Sequence, residues 1–370
     1  MAGEEAWLEP VADAPLAATA AWLDWPPDLA AAVRAAATRF RSSPALTALL
    51  RDGHQRLFGG DGRSPRGDWI RSDLGEDAGM LPFLALLTGL PSLRAGWDRR
   101  GIPEEVRIET LSDIRLWATV YRANHGTWGL ADLGWLMHHF DGTLFRLGRL
   151  QAMPGEFPKF AHVFRRRGDG AVTLLCPDGQ VYDAGGRAYW RRGETDEPGI
   201  WTARLAREGG SVRGHPVTPA GAAAREVVTL SVAAWEEILA PGDPILDLHI
   251  PAGEPLTSEA CRASVARARA FFPRHCPEHA FKGFSCWAWL LDPVFQQLLP
   301  PTANIVQFQA LFHLFPVPGN EGQVMERIFG AKRPDLSHAP RGDRLRHAVQ
   351  AYVDGGGRFA GAGGGVLRTD

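Results

Sequence analysis

Apolar positions along the chain change their spacing twice. From residue 25 to about 125 they recur every three or four residues, the period of helices with one buried face. In WPPDLAAAVRAAATRFRSSPALTALLRDGHQRLFG (25–59), prolines suited to a first helical turn open the run. Leu29, Val33, Ala36, Ala37 and Phe40 then fall on one stripe. GMLPFLALLTGL (79–90) is apolar on every side and predicts a buried helix. IPEEVRIETLSDIRLWATVYRANHG (102–126) predicts a helix that stops at Gly126, and GLADLGWLMHHFDG (129–142) a shorter one.

Beyond residue 143 the period shortens. LFRLGRLQAM (144–153) reads as a strand, with Gly148 as a bulge. KFAHVFRRRGDGAVTLLCPDGQVYDAGG (159–186) reads as a β meander with a hairpin turn at Asp178-Gly179. Residues 191–225, rich in Gly, Arg, Glu and Pro, predict long surface connections, and REVVTLSVAAWEEIL (225–239) a strand followed by a short helix. From 244 strands and helices alternate. PILDLHIP is a strand, and TSEACRASVARARAFF a helix with Cys261, Val265, Ala268 and Phe272 on one stripe. AFKGFSCWAWLL (280–291) is a second strand, DPVFQQLL a short helix opened by Asp292 and Pro293, and NIVQFQALFHLFPV (304–317) a third strand region. The Gly-rich tail (355–370) predicts disorder. The fold class is therefore α+β. A helical domain spans 1–125, and a mixed-sheet domain spans 126–335 with a β meander inserted at about 159–225. A C-terminal helix and the tail occupy 336–370.

Composition narrows the partners. The net charge of -2 supplies no basic field for nucleic acid. MAGEEAW lacks a basic-then-apolar leader, and MLPFLALLTGLPSL (80–93) is shorter than the roughly 20 residues a bilayer requires. A cytoplasmic protein with no membrane partner is expected. Cys176, Cys261, Cys276 and Cys286 form no C-x-x-C pair and read as reduced, partly buried thiols. No H-E-x-x-H, P-loop or G-x-S-x-G occurs, so no metal and no serine nucleophile are expected.

The stretch ILDLHIPAGEPLTSEACRASVARARAFF (245–272) carries the chemistry. A strand, a tight loop and a helix start in succession can present backbone N–H groups and a helix dipole to a phosphate. Gly253 allows close backbone approach and Thr257 is a fair N-cap. The same residues also make a capped corner, and Glu259 in the first turn would repel an anion. Alternation puts Asp247 and His249 on one strand face, where the carboxylate can hold the imidazole tautomer.

Together GRLQ (148–151), LHIPAGEPLT (248–257), WLLDP (289–293) and NIVQFQ (304–309) resemble bacterial acyltransferase domain-containing proteins of the GNAT superfamily. Those join a helical N-terminal domain to a GNAT-like C-terminal domain, and the resemblance covers about residues 20–330. It implies acyl transfer from acyl-CoA, a co-substrate rather than a resident cofactor, directly to an amine. His249 would be the base, with Asp247 in support and Ser285 and Asn304 also in the catalytic set. The pantetheine and phosphates would lie against Ile250, Ala252, Gly253, Thr257, Ser258, Arg262 and Gln307, with Trp287 in the acyl pocket. The usual Q/R-x-x-G-x-G/A signature is missing. Trp287 and Ala288 stand where the resembling proteins often carry His and Ser. Two readings follow. One is an N-acyltransferase that draws on acyl-CoA or an acyl carrier protein, acts on an amine-bearing small molecule or peptide, and forms a homodimer. The other is a catalytically inactive module that binds a thioester, a carrier protein or a peptide.

Overall fold

A computed structural model describes residues 6–60, 71–131, 133–189, 198–319, 321–330, 332, 334, 344–360 and 363–368. The chain divides into two compact units, Met1–Gln151 with Ala270–Cys276, and Ala152–Arg269 with Pro277–Asp370.

The first unit is helical. It contains α1 (Asp13–Trp22), α2 (Pro27–Ser42), α3 (Pro44–Phe58), α4 (Met80–Leu87), α5 (Leu90–Arg100), α6 (Glu104–His125) and α7 (Leu136–Phe140), with a short strand β1 (Phe145–Arg146). The stripe Leu29, Val33, Ala36, Ala37 and Phe40 is buried along α2, as its spacing predicts. The run 25–59 is two helices, because Pro44 has no N–H to continue the ladder. Ser43 turns extended there, and its hydroxyl accepts from Leu46 N at 3.5 Å. Gly126 ends α6 at φ 76°, a left-handed cap. Asp73–Arg100 is long and apolar enough to cross a membrane by length and composition alone, but 78% of its apolar window is buried inside the protein. Every residue of α4 is buried.

A polar knot ties α6 to α7 and to Gln151. His139 Nε2 lies 3.1 Å from Asp113 Oδ2, and Gln151 Nε2 donates to the same oxygen at 2.7 Å. All three side chains are buried. Burial opposes ionisation of Asp113, but the His139 and Gln151 hydrogen bonds and the Arg146 charge together hold its pKa below the ordinary carboxylate range. Hydrogen bonds to a buried charge contribute about 1.5–3 kcal/mol each, so this knot fixes Gln151 where the next strand begins.

The second unit carries β2 (Gln151–Glu156), β3 (His162–Arg166), β4 (Val172–Leu175), β5 (Val181–Tyr182), β6 (Trp201–Thr202), β7 (Leu205–Glu208), β8 (Ser211–Gly214), β9 (Val228–Ser231), β10 (Trp235–Leu239) and β11 (Pro244–His249). Then follow α8 (Ser258–His275), whose residues from Ala270 on count with the first unit, β12 (Phe284–Ala288), α9 (Phe295–Leu298), α10 (Asn304–Gln309), β13 (Phe312–Pro316), α11 (Glu321–Phe329), α12 (Arg344–Asp354) and β14 (Gly363–Leu367). Strands β2, β11, β12, β14 and β13 lie side by side in that order. The inserted strands form small antiparallel sheets, β10-β3-β4 and β7-β8-β9.

Several expectations fail here, each for a local reason. The hairpin turn falls at the tip of β3 and β4, where Arg166 N donates to Ala171 O, and not at Asp178-Gly179. The latter makes a turn between β4 and β5, which pair with different strands. Gly148 lies in the link between β1 and β2 rather than in a bulge. The expected helix after β9 is strand β10, whose Trp235, Glu236 and Glu237 pair with β3. The expected connection at 191–225 contains β6, β7 and β8 within its described part.

The larger correction concerns the tail. Gly363–Leu367 is β14, antiparallel to both β12 and β13. Glycine is required by packing. A Cβ on Gly363 would stand 1.9 Å from Leu291 O, and one on Gly364 2.1 Å from the Phe315 ring. Glycine composition that reads as disorder in isolation is here the only chemistry that fits between two strands with bulky neighbours.

Candidate active site

Asp247 and His249, the candidate acid–base pair, sit near the end of the pairing of two parallel strands. The β11–β12 register covers Leu246–Phe284 and Asp247–Ser285, while β11 continues to His249 and β12 to Ala288. Leu246 and Leu248 are buried, and Asp247 and His249 face the other way, as alternation predicts. His249 Nε2 is 3.4 Å from Asp247 Oδ2, with the two side chains 25% and 35% exposed. The dense packing behind Asp247 pushes its carboxyl up to about 7, against an ordinary 3.8. Asp247 therefore changes charge near neutrality, beside the imidazole. Gly155 lies beside Asp247 on the neighbouring strand, and a side chain there would touch it at ordinary contact distance. A Cβ there would lie 3.5 Å from Asp247 Cβ.

The loop after β11 leads into α8. Ala252 and Gly253 are exposed, and Gly253 has φ 130°, a conformation that favours glycine. Thr257 Oγ1 accepts from Ala260 N at 3.2 Å, so the predicted N-cap forms. The first N–H groups of α8, at Ser258 and Glu259, point out of the helix start and carry its positive partial charge. Ser258 Oγ donates to Gln307 O at 3.4 Å, which sets α10 beside that helix start. Ile250 is half-buried, and Arg262 is exposed on the second turn. Cys261, Val265, Ala268 and Phe272 are buried, as the stripe predicts.

The remaining candidates divide. Ser285 is buried and its hydroxyl donates to Gly365 O at 3.1 Å, which ties it to the sheet. Trp287 is 49% exposed and meets Phe160 edge to face at 5.6 Å. Cys286 is fully buried. Burial, with Asp247 and Cys261 nearby, pushes its thiol well above the ordinary range, so it is a poor nucleophile. NIVQFQ is helix α10 and not a strand. Asn304 stands exposed at its start, and Gln307 is exposed with Nε2 donating to Pro301 O at 2.6 Å. Gln309 does not share a face with Gln307. It is buried, and Nε2 donates to Leu290 O at 2.7 Å and Asp292 O at 2.9 Å. The alternation in NIVQFQ puts Gln309 with Gln307 on one strand face toward the pantetheine, which the helix overturns, and sequence reasoning missed Gly155. The Pro154-Gly155 pair at the end of β2 was the only sequence signal for it.

Comparisons with known proteins bear on this site. A family model described as a GNAT-like C-terminal domain matches residues 144–367. One described as an N-acyltransferase N-terminal domain matches residues 14–142. An acyltransferase solved in complex with decanoyl-CoA and teicoplanin is 25% identical, with TM-score 0.65 over 96% of this chain and 88% of that one. An acyltransferase in complex with CoA and 10C-teicoplanin is also 25% identical, with TM-score 0.65 over 97% of this chain and 88% of that one. A mutant acyltransferase with octanoyl-CoA is 25% identical, with TM-score 0.64 over 97% and 88% of the two chains. Comparison with the curated proteins returned no match.

Proposed function

Because the chain belongs to the GNAT-like C-terminal domain family, with an N-acyltransferase N-terminal domain ahead of it, we propose that it moves an acyl group from acyl-CoA directly to an amine. Solved acyltransferases of the same fold hold decanoyl-CoA, octanoyl-CoA or CoA, two of them together with teicoplanin or 10C-teicoplanin. That supports a thioester donor and an amine-bearing acceptor for this chain. The observation that carries the reading is the Asp247–His249 pair near the end of the β11–β12 pairing, one loop away from a capped helix start.

The roles follow from position. The thioester lies beside the carboxyl ends of β11 and β12, with its phosphates toward the start of α8. Each helix-dipole or N–H contribution there is about 0.3–1 kcal/mol at an exposed site, so several must act together. Ile250, Ala252 and Gly253 offer backbone to the pantetheine, with Ser258 and Arg262 nearer the phosphates. The acceptor nitrogen attacks the thioester carbon and His249 takes its proton, with Asp247 steadying the imidazolium. The tetrahedral intermediate then expels the CoA thiolate, which leaves as the thiol after regaining a proton. Trp287, an exposed indole near the end of β12, lines the path of the acyl chain.

His249→Ala tests this. Decanoyl-CoA affinity should hold within about twofold while kcat falls by about 10²–10⁴, the usual contribution of a positioned base. Unchanged kcat in a folded His249→Ala protein overturns the assignment.

A further inference from the structure

Strand β9 forms one edge of the small sheet β7-β8-β9, with no hydrogen-bonded strand on its far side among the described residues. Val232 N donates to Gly210 O at 2.9 Å, and the same register continues through Val212–Leu230 and Gly214–Val228. Bonded and non-bonded pairs alternate along an antiparallel ladder, so Val228, Leu230 and Val232 turn their backbone groups to β8. Those of Val227, Thr229 and Ser231 point outward. Ser231 O accepts from Ala234 N at 3.0 Å, and the rest of this outward row has no backbone partner among the described residues.

Open edges in natural sheets are guarded by charges, prolines, bulges or cover. The other edges of the two small sheets carry such guards. β10 presents Glu236 and Glu237, with a bulge before Leu239. β7 carries Arg207 and Glu208, and its Leu205 N is taken by Asp178 Oδ1 at 3.1 Å. β4 is covered where Val217 N donates to Leu174 O at 2.8 Å. From Val227 to Ala234, by contrast, the chain has no charge and no proline, and β9 pairs without a bulge. Val227 and Val232, each 51% exposed, flank the strand.

One occupant matches this edge group for group. When a second copy is turned about a two-fold axis through Thr229, that residue faces the partner's Thr229, and Val227 faces the partner's Ser231. Each outward N–H then meets an outward C=O. Such a contact is isologous and closes at two subunits. The same register sets the partner's Glu226 opposite Val232, on the face that bears Leu230. Val232 lines a cavity of about 220 Å³ whose own charges are already matched, Arg167 with Glu236 at 3.5 Å and Arg207 with Glu237 at 2.8 Å. No like charges stand opposite one another, and an edge without charge gives an acidic or basic peptide nothing to pair with.

We propose that β9 is a homodimer interface, where two copies join their small sheets edge to edge about Thr229. This contact stands whether or not the protein transfers acyl groups. Pairing over about six residues buries less than the roughly 1,200–2,000 Å² of a permanent complex, so the dimer is weak, with Kd in about the micromolar range.

Sedimentation velocity over about 1–300 μM protein should show a monomer–dimer equilibrium. Thr229 is exposed and its backbone groups lie off the β8 ladder, so Thr229→Lys and Thr229→Glu should both fold. Each sets like charges face to face on the axis and should weaken self-association by at least about tenfold. An equal mixture of the two variants sets opposite charges there instead and should restore dimers. A wild-type protein that stays monomeric across the range overturns the proposal. A dimer that both folded variants leave unchanged overturns it too, since it must form elsewhere, as does a mixture that associates no better than either variant alone.

Discussion

Gly364→Ala is the sharpest test of how the sheet beside the site is built. The added Cβ would stand 2.1 Å from one carbon of the Phe315 ring. Carbon atoms settle at about 3.5–4.0 Å, so the ring must retreat by about 1.4 Å or the strands must part. Phe315 has no room to give. It is fully buried and packs edge to face on Phe157 at 5.8 Å, within a cluster that includes Val317 and Val366. Overpacking of this kind costs about 1–3 kcal/mol, and alanine returns about 0.4–1 kcal/mol by restricting the unfolded chain. The net loss is about 1–2 kcal/mol, which lowers Tm by about 2–8 °C for a domain of this size. The assay is thermal unfolding, with the double variant Gly364→Ala/Phe315→Leu alongside. Leucine vacates the contested space, so the double variant should be more stable than the two single losses combined. A Gly364→Ala protein that melts within 1 °C of wild type refutes the packing argument, as does strict additivity.

Other predictions are briefer. The folded pKa of Asp247 lies above its ordinary 3.8, so this group's contribution to stability is whole at low pH and is lost as pH rises through about 7. Asp247→Asn removes that loss, so urea unfolding should show the variant gaining on wild type across this interval and level beyond it; a difference independent of pH contradicts the burial argument. Thr257→Ala deletes the cap on Ala260 N, and thermal unfolding should register a loss of about 0.5–2 kcal/mol, with weaker CoA binding in a titration. Unchanged CoA affinity would separate the helix start from the phosphate site. Trp287→Ala should flatten the dependence of KM on acyl length from acetyl- to hexadecanoyl-CoA, whereas an unaltered length profile removes Trp287 from the acyl path.

The sequence exposed some parts of this molecule better than others. Helical stripes were legible because burial on one face imposes a period, as in Leu29 to Phe40 on α2 and Cys261 to Phe272 on α8. The alternation Leu246-Asp247-Leu248-His249 gave the site face for the same reason. NIVQFQ misled because polar and apolar residues alternate over six positions, too few to separate a strand from a helix of that length. Only the fold shows that Gln309 turns inward to hold Leu290 and Asp292. The tail misled more deeply. A strand of consecutive glycines carries no pattern of its own, and its requirement lies on Leu291, Phe312 and Phe315, distant in sequence.

The central claim is transfer of an acyl group from CoA to an amine. The most direct measurement incubates the protein with decanoyl-CoA and phenylalanylglycinamide, following thiol release and the mass of the acceptor together. The account predicts one CoA thiol released for each acceptor that gains a decanoyl amide, with both rates lost in His249→Ala. Absence of acylated product across a panel of amines, together with a melting temperature indifferent to CoA and to every acyl-CoA, would contradict it.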